Sequence, residues 1–149
     1  MTDDRAYPQR PLLAVSAAIV RDGKVLAVRR ARKPAIGLYS VPGGVVDVGE
    51  TLFEAVQREV REETALAIEP VALAGHREAI MRDADGAVHR HFVILCFAAR
   101  LLGGDVRLND ELDDARWLLP SEFAGLKTTD GLAEIVTTAV AIIQSSGQD

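Results

Sequence analysis

The turn Pro42-Gly43-Gly44, followed after one short loop by the helix-forming run Thr51 to Thr64, constrains this chain more than any other segment. Adjacent glycines cost backbone entropy unless the chain needs unusual dihedrals or a close approach to something else. The run behind them begins with Thr51 as N-cap and Glu54 three positions on, a capping box, and places Leu52, Ala55, Val56 and Val60 at helical spacing. On that helix Glu59, Glu62 and Glu63 are related by i+3 and i+4, so their side chains project within an arc of about 100°. Like charges so arranged repel, and a positive group is expected beside them.

Taken alone, Arg58 to Glu63 reads more readily as a solvated face in which Glu54–Arg58 and Arg58–Glu62 pair at i+4. The glycine turn just upstream shifts that balance. A backbone carbonyl from Gly44 can join the carboxylate oxygens, and an all-oxygen set suits a hard cation, Mg²⁺ or Mn²⁺. Zinc would want His or Cys, and none of the three histidines lies near this segment in sequence.

Around this segment the chain alternates strand and turn signals. Leu12 to Val20, Asp22-Gly23 and Lys24 to Arg30 predict a β-hairpin, and Leu38 to Val41 a brief strand that the glycines stop. Ile68 to Ile80 and Val88 to Leu102 predict a long hairpin across the turn Arg82 to Gly86. After Gly103-Gly104 come an acidic loop, Asn109 to Asp114, a short strand Ala115 to Leu119 around Trp117, and one helical turn from Pro120. Leu132, Ile135, Val136, Ala139, Ile142 and Ile143 mark a closing amphipathic helix over Thr129 to Gln144, with a frayed end beyond it. Two helices around a mostly antiparallel or mixed sheet, an α+β class, is the architecture this order implies.

Composition narrows the function classes. A chain of 149 residues, 48% hydrophobic, fits one domain over 1–149, with residues 1–10 as a flexible arm lacking the apolar core of a signal peptide. A net charge of −5 argues against nucleic acid as the main partner, since that binding is dominated by Lys and Arg. No stretch reaches the roughly 18 uncharged apolar residues of a membrane span. Cys96, the only cysteine, lies in an apolar run and reads as a buried reduced thiol, which suits the cytoplasm.

The segment Gly44 to Leu66 resembles the signature of the Nudix hydrolases. Gly44, Glu50, Arg58-Glu59-Val60, Glu62-Glu63 and Leu66 fall at signature positions, and the single departure is Ala65, where the family usually has glycine. If that position needs a positive φ, alanine costs on the order of 1 kcal/mol, a local matter that spares the metal ligands. The flanking hairpins, the Pro-Gly-Gly turn and the acidic loop before Trp117 extend the resemblance over most of the chain. It implies the Nudix fold, an α/β/α sandwich whose mixed sheet is flanked by the signature helix and a C-terminal helix. It also implies Mg²⁺-dependent hydrolysis of a nucleoside diphosphate linked to another moiety (ADP-ribose, a sugar nucleotide or a nucleoside triphosphate) by water attack on phosphorus. Glu59 and Glu63 are then the main ligands, Glu62 a further or bridging one, Gly44 contributes its carbonyl, and Glu50 is a supporting or additional ligand. Arg58 orients Glu59. The base is Glu59 by preference, then Glu111 of the acidic loop. A homodimer is common among relatives.

Other features carry weaker signals. Arg29, Arg30, Arg32 and Lys33 can receive a terminal phosphate or sugar, and read equally as a solvated basic loop. Tyr39 and Trp117 can stack on a base, although burial is the more frequent fate of such rings. His89 and His91 share a strand face and read mainly as surface residues. Asp83-Ala84-Asp85-Gly86 lacks the later glutamate of a calcium loop and reads as a turn. Against the enzyme stands a second class, a domain that keeps the fold and senses a nucleotide without cleaving it.

Overall fold

The computed structural model describes residues 5–147. Two hairpins make up most of the sheet. Leu12–Arg21 (β1) turns at Asp22-Gly23 into Lys24–Arg30 (β2), and Ala67–Arg82 (β5) turns back as Val88–Gly103 (β6). Between them lie Tyr39–Ser40 (β3), Gly43–Val45 (β4) and the helix Leu52–Thr64 (α1). Leu112–Leu118 (β7), a 3₁₀ turn over Pro120–Gly125 and the helix Leu132–Ser145 (α2) follow. Among the described residues the sheet has seven strands in the order β3-β2-β1-β6-β5, with β4 pairing β1 and β7 pairing β2. β1 and β6 run parallel and the other pairs antiparallel, so the sheet is mixed.

The strand period of two divides the core in half. Val15, Ala17 and Ile19 of β1 join Phe97 and Ala99 of β6 against Ala55, Val56 and Val60 of α1. Ala18 and Val20, with Cys96 and Ala98, face Leu132, Ile135, Val136, Ala139 and Ile143 of α2. Burial on both faces explains why β1 reads as a continuous hydrophobic run. The result is the expected α/β/α sandwich. α2 sits close to β5, where a Cβ on Gly75 would come within 2.9 Å of Ile135.

Three expectations change. Gly43 and Gly44 do not stop a strand: they form β4, opposite Ser16 and Val15. The last strand begins earlier than Ala115, at Leu112, because β2 continues to pair with it through Arg30. The arm expected to be flexible has a defined course from Arg5 onward, while residues 1–4 lie outside the described residues. The Tyr7 amide donates to the His89 carbonyl at 2.8 Å, its ring meets the His89 ring edge-on at 5.1 Å, and its hydroxyl donates to Asp83. Two polar bonds and an aromatic contact outweigh the local freedom of so short a segment. Beyond α2, Gln148 and Asp149 of the end expected to fray also lie outside the described residues.

Candidate active site

The glycine turn exists for close approach. A Cβ on Gly43 would lie 2.1 Å from the Val15 carbonyl oxygen, and one on Gly44 would lie 2.3 Å from the Glu59 carboxyl carbon. Neither glycine has a positive φ. β4 is thereby seated between β1 and α1, with its backbone against the acidic face of the helix.

That helix is fixed at both ends. Thr51 accepts from the Glu54 amide at 3.1 Å while Glu54 accepts from the Thr51 amide at 2.9 Å, the expected capping box. At the other end Ala65 is left-handed, with φ 65° and ψ 12°. The loop after β6 completes the C-terminus: the Arg107 amide donates to the Thr64 carbonyl at 2.8 Å and the Asn109 amide to the Glu63 carbonyl at 3.1 Å. These bonds satisfy helix carbonyls that would otherwise lack partners, and they tie the loop carrying Glu111 to the turn carrying Glu63.

Glu59, Glu62, Glu63 and Glu111 line one cavity of about 360 Å³ together with Gly43 and Gly44. Its floor is the part of the sheet that α2 leaves uncovered, including Ser16, Ile94, Ala79 and Met81. Glu63 is buried, and its carboxylate accepts from the Gly43 amide at 3.1 Å. Burial, reinforced by the negative charges of Glu59 and Glu111, pushes its pKa up to about 8 despite that hydrogen bond. Burial also raises Glu59, against the pull of Arg58. Arg58 gathers the remaining acids: it donates to both oxygens of Glu50 at 2.6 and 2.9 Å, to Glu59 at 2.9 Å, to Glu62 at 3.2 Å and to the Val45 carbonyl at 3.2 Å. Its hydrogen bonds, with that from the Asp47 amide, hold Glu50 at about 2.

Among the described residues no group of three or more His, Cys, Asp or Glu side chains is drawn together in metal-ligating geometry. Each carboxylate instead takes its nearest donor, Glu59 and Glu62 on Arg58 and Glu63 on Gly43. The donor chemistry still fits a hard divalent cation: an all-oxygen set with a buried carboxylate crowded by like charge, beside a backbone too close for any side chain.

The other sequence candidates separate. Arg30 lines the cavity, its Nε donating to the Pro34 carbonyl at 2.7 Å. Arg29, the preceding residue on the strand, points to the other side and pairs with Asp113 at 2.6 Å. Tyr39 is core, its hydroxyl donating to Asp114, and it does not line the cavity. Glu50 is likewise outside the cavity, occupied by Arg58. Trp117 packs against the α1-side core with Arg21 4.2 Å above its ring. His89 and His91 do not line the cavity. Sequence reasoning overlooked Arg5 and Arg77, both of which do. Arg77 is half-buried and its pKa is lowered by desolvation, with Asp130 opposing the effect. Its one visible signal was a cation in phase with the small or apolar Gly75, Ala79 and Met81 of an alternating strand.

The sequence profile described as NUDIX domain matches residues 10–138. The chain belongs to the Nudix family. It is 35% identical over 107 residues to an ADP-ribose pyrophosphatase of Methanocaldococcus jannaschii, covering 72% of this chain and 61% of that protein. It is 37% identical over 125 residues to a MutT-like protein of Streptomyces ambofaciens, covering 82% of this chain and 74% of that one. The crystal structure of a MutT NUDIX hydrolase from Burkholderia pseudomallei superposes with a TM-score of 0.69 at 29% identity, over 89% of this chain and 98% of the other. The Nudix chain thus spans less than two thirds of the length of the first of these relatives. Among the described residues, no helix of this Nudix domain is long and apolar enough to cross a membrane.

Proposed function

We propose that this Nudix domain hydrolyses the pyrophosphate linkage of a nucleoside diphosphate joined to a second moiety, with a divalent cation, Mg²⁺ or Mn²⁺, as cofactor. The observation that carries the reading is the convergence of Glu59, Glu63 and Glu111, from a helix and a distant loop, on one cavity beside the Gly43-Gly44 backbone. Glu59, Glu62, Glu63 and the Gly44 carbonyl would hold the cation, which when bound neutralises anhydride oxygens and lowers the pKa of water. Arg58 keeps Glu59 against Gly44, and Glu50 keeps Arg58 in place. Glu111 stands on the loop across from the helix carboxylates, where it can take a proton from water while Glu59 remains a ligand. That reverses the preference for Glu59 as base drawn from the sequence.

The substrate is a small molecule, in keeping with the cavity's size. Across the sheet, Val45 pairs Ala14, Ala14 pairs Ile94 and Ile94 pairs Arg77, so Arg77 lies three strand spacings, about 14 Å, from β4. That separation suits a substrate reaching from anhydride to second moiety, such as ADP-ribose, the compound for which the Methanocaldococcus jannaschii relative is named. A single domain in the cytoplasm, acting without nucleic acid and assembling as a homodimer, completes the proposal. The free buried Cys96 supports the compartment and the net charge of −5 the absence of nucleic acid, and light scattering tests the homodimer.

The test is turnover of ADP-ribose, sugar nucleotides, dGTP and 8-oxo-dGTP with Mg²⁺ and with Mn²⁺, with products identified. Metal-dependent cleavage that falls in Glu59→Gln is expected. Tight binding of a panel compound with no product over long incubation would instead favour a sensing domain.

A further inference from the structure

Arg5 lines the same cavity as Glu59, although it belongs to neither the sheet nor a helix. It is brought there by Tyr7, whose amide, ring and hydroxyl all engage the β5–β6 hairpin: the amide on His89 O, the ring against the His89 imidazole, and the hydroxyl on Asp83 in the turn. Two residues of chain reach at most about 7 Å, so fastening Tyr7 confines Arg5 to the cavity rim. Tyr7 itself has φ 52°, a conformation that a bulky residue holds only where its surroundings impose it. Arg5 is close enough to Glu59 for its charge to favour the ionised carboxylate. Glu59, Glu62, Glu63 and Glu111 line the same cavity, as do the cations Arg30 and Arg77.

We propose that the arm is a substrate clamp: Tyr7 latches it to the β5–β6 hairpin so that Arg5 grips phosphate oxygens of the bound nucleoside diphosphate. The proposal rests on the pyrophosphohydrolase reading above. A guanidinium fits phosphate oxygens through charge-assisted, often bidentate hydrogen bonds, and a cation carried on a tethered arm can engage substrate without being built into the rigid sheet. Arg5 is a binding residue in this scheme and Tyr7 a positioning residue that acts through it.

The experiment measures kcat and KM for the panel compound hydrolysed fastest, in the native protein, Arg5→Ala, Arg5→Lys, Tyr7→Ala and the Arg5→Ala/Tyr7→Ala double variant, with melting temperatures as a check on folding. Arg5→Ala is expected to raise KM about tenfold, the equivalent of about 1.4 kcal/mol, with kcat changed less than about twofold. Arg5→Lys should recover part of the loss. Tyr7→Ala should raise KM in the same direction, and the double variant should be no worse than Arg5→Ala alone, because both act through one contact. An unchanged KM, additive effects, or a lower KM in Arg5→Ala, as for a plug that blocks the cavity, would overturn the clamp. A second readout needs no turnover. Trypsin cleavage between Arg5 and Ala6, followed by mass spectrometry, should slow when inorganic pyrophosphate and Mg²⁺ are added together, and unchanged cleavage would overturn the clamp as well. If no panel compound is hydrolysed yet pyrophosphate protects Arg5, the enzymatic reading fails and the clamp stands.

Discussion

Replacing Ala65 by glycine tests whether the one departure from the Nudix signature carries strain. Ala65 sits at φ 65°, ψ 12°, where the Cβ of an L-residue crowds the following carbonyl at a cost of about 1–2 kcal/mol. Its side chain is exposed, so removing the methyl group uncovers no core. Against the relief stands the greater freedom glycine gives the unfolded chain, about 0.4–1 kcal/mol. The net expectation is that Ala65→Gly stabilises the fold by about 0.5–1 kcal/mol, or about 1–4 °C in Tm for a chain of this size. Trp117 is the only tryptophan and is half-buried against the core, so its fluorescence reports urea unfolding. With an m-value of about 2 kcal/mol/M the midpoint should move up by about 0.3–0.5 M at constant m. Ala133→Gly, on an exposed position of α2, is the opposite-sign control and should destabilise by up to about 1 kcal/mol. A lower midpoint for Ala65→Gly would refute the strain argument, since the strain relieved would then be smaller than the freedom gained by the unfolded chain.

The site makes further predictions. Gly44→Ala drives a Cβ into the Glu59 carboxyl group and should lower kcat/KM about 100-fold, with circular dichroism unchanged. Glu59→Gln should raise the Mg²⁺ concentration needed for half-maximal activity. Glu111→Gln should lower kcat by about 100-fold or more while leaving that concentration unaltered, and a shift in metal dependence instead would make Glu111 a ligand. Glu63 holds its proton up to about pH 8 in the folded, metal-free protein but only to the ordinary carboxylate range when unfolded. The folded state therefore binds the extra proton between those limits, and metal-free stability should fall as pH rises from about 5 to 8. Saturating Mg²⁺ should restore the Tm at pH 8, and Glu63→Gln should flatten the pH slope.

Local chemistry was readable from the sequence wherever partners lie within a few residues. The capping box of Thr51 and Glu54, the apolar stripe of α1 and the long β5–β6 hairpin all follow from short-range periodicity. The glycine pair allowed two explanations, and only the distance to Val15 and Glu59, residues brought close by folding, selects between them. Glu50 lies at a signature position, yet spacing alone does not reveal that Arg58 takes both of its oxygens. Arg29 and Arg30 were separable in principle, because neighbours on a strand face opposite sides and both cannot enter one cavity. Tyr39 was not, since its partner Asp114 is 75 positions away. The arm read as flexible for a related reason: nothing local holds Tyr7, and its contacts at Asp83 and His89 exist only once the hairpin has formed.

The alternation of β1 and β6 has a bearing on how such a protein diversifies. Ala17, Ile19, Phe97 and Ala99 support the signature helix, whereas Ala14, Ser16, Phe92, Ile94 and Cys96 line the cavity. Substitution at the second set can reshape what the floor accepts while the bed of the acidic helix stays intact. A single-residue insertion within β1 would exchange the two sets and destroy both at once. New substrate preferences are therefore open to point substitution in these strands, and closed to changes in their length.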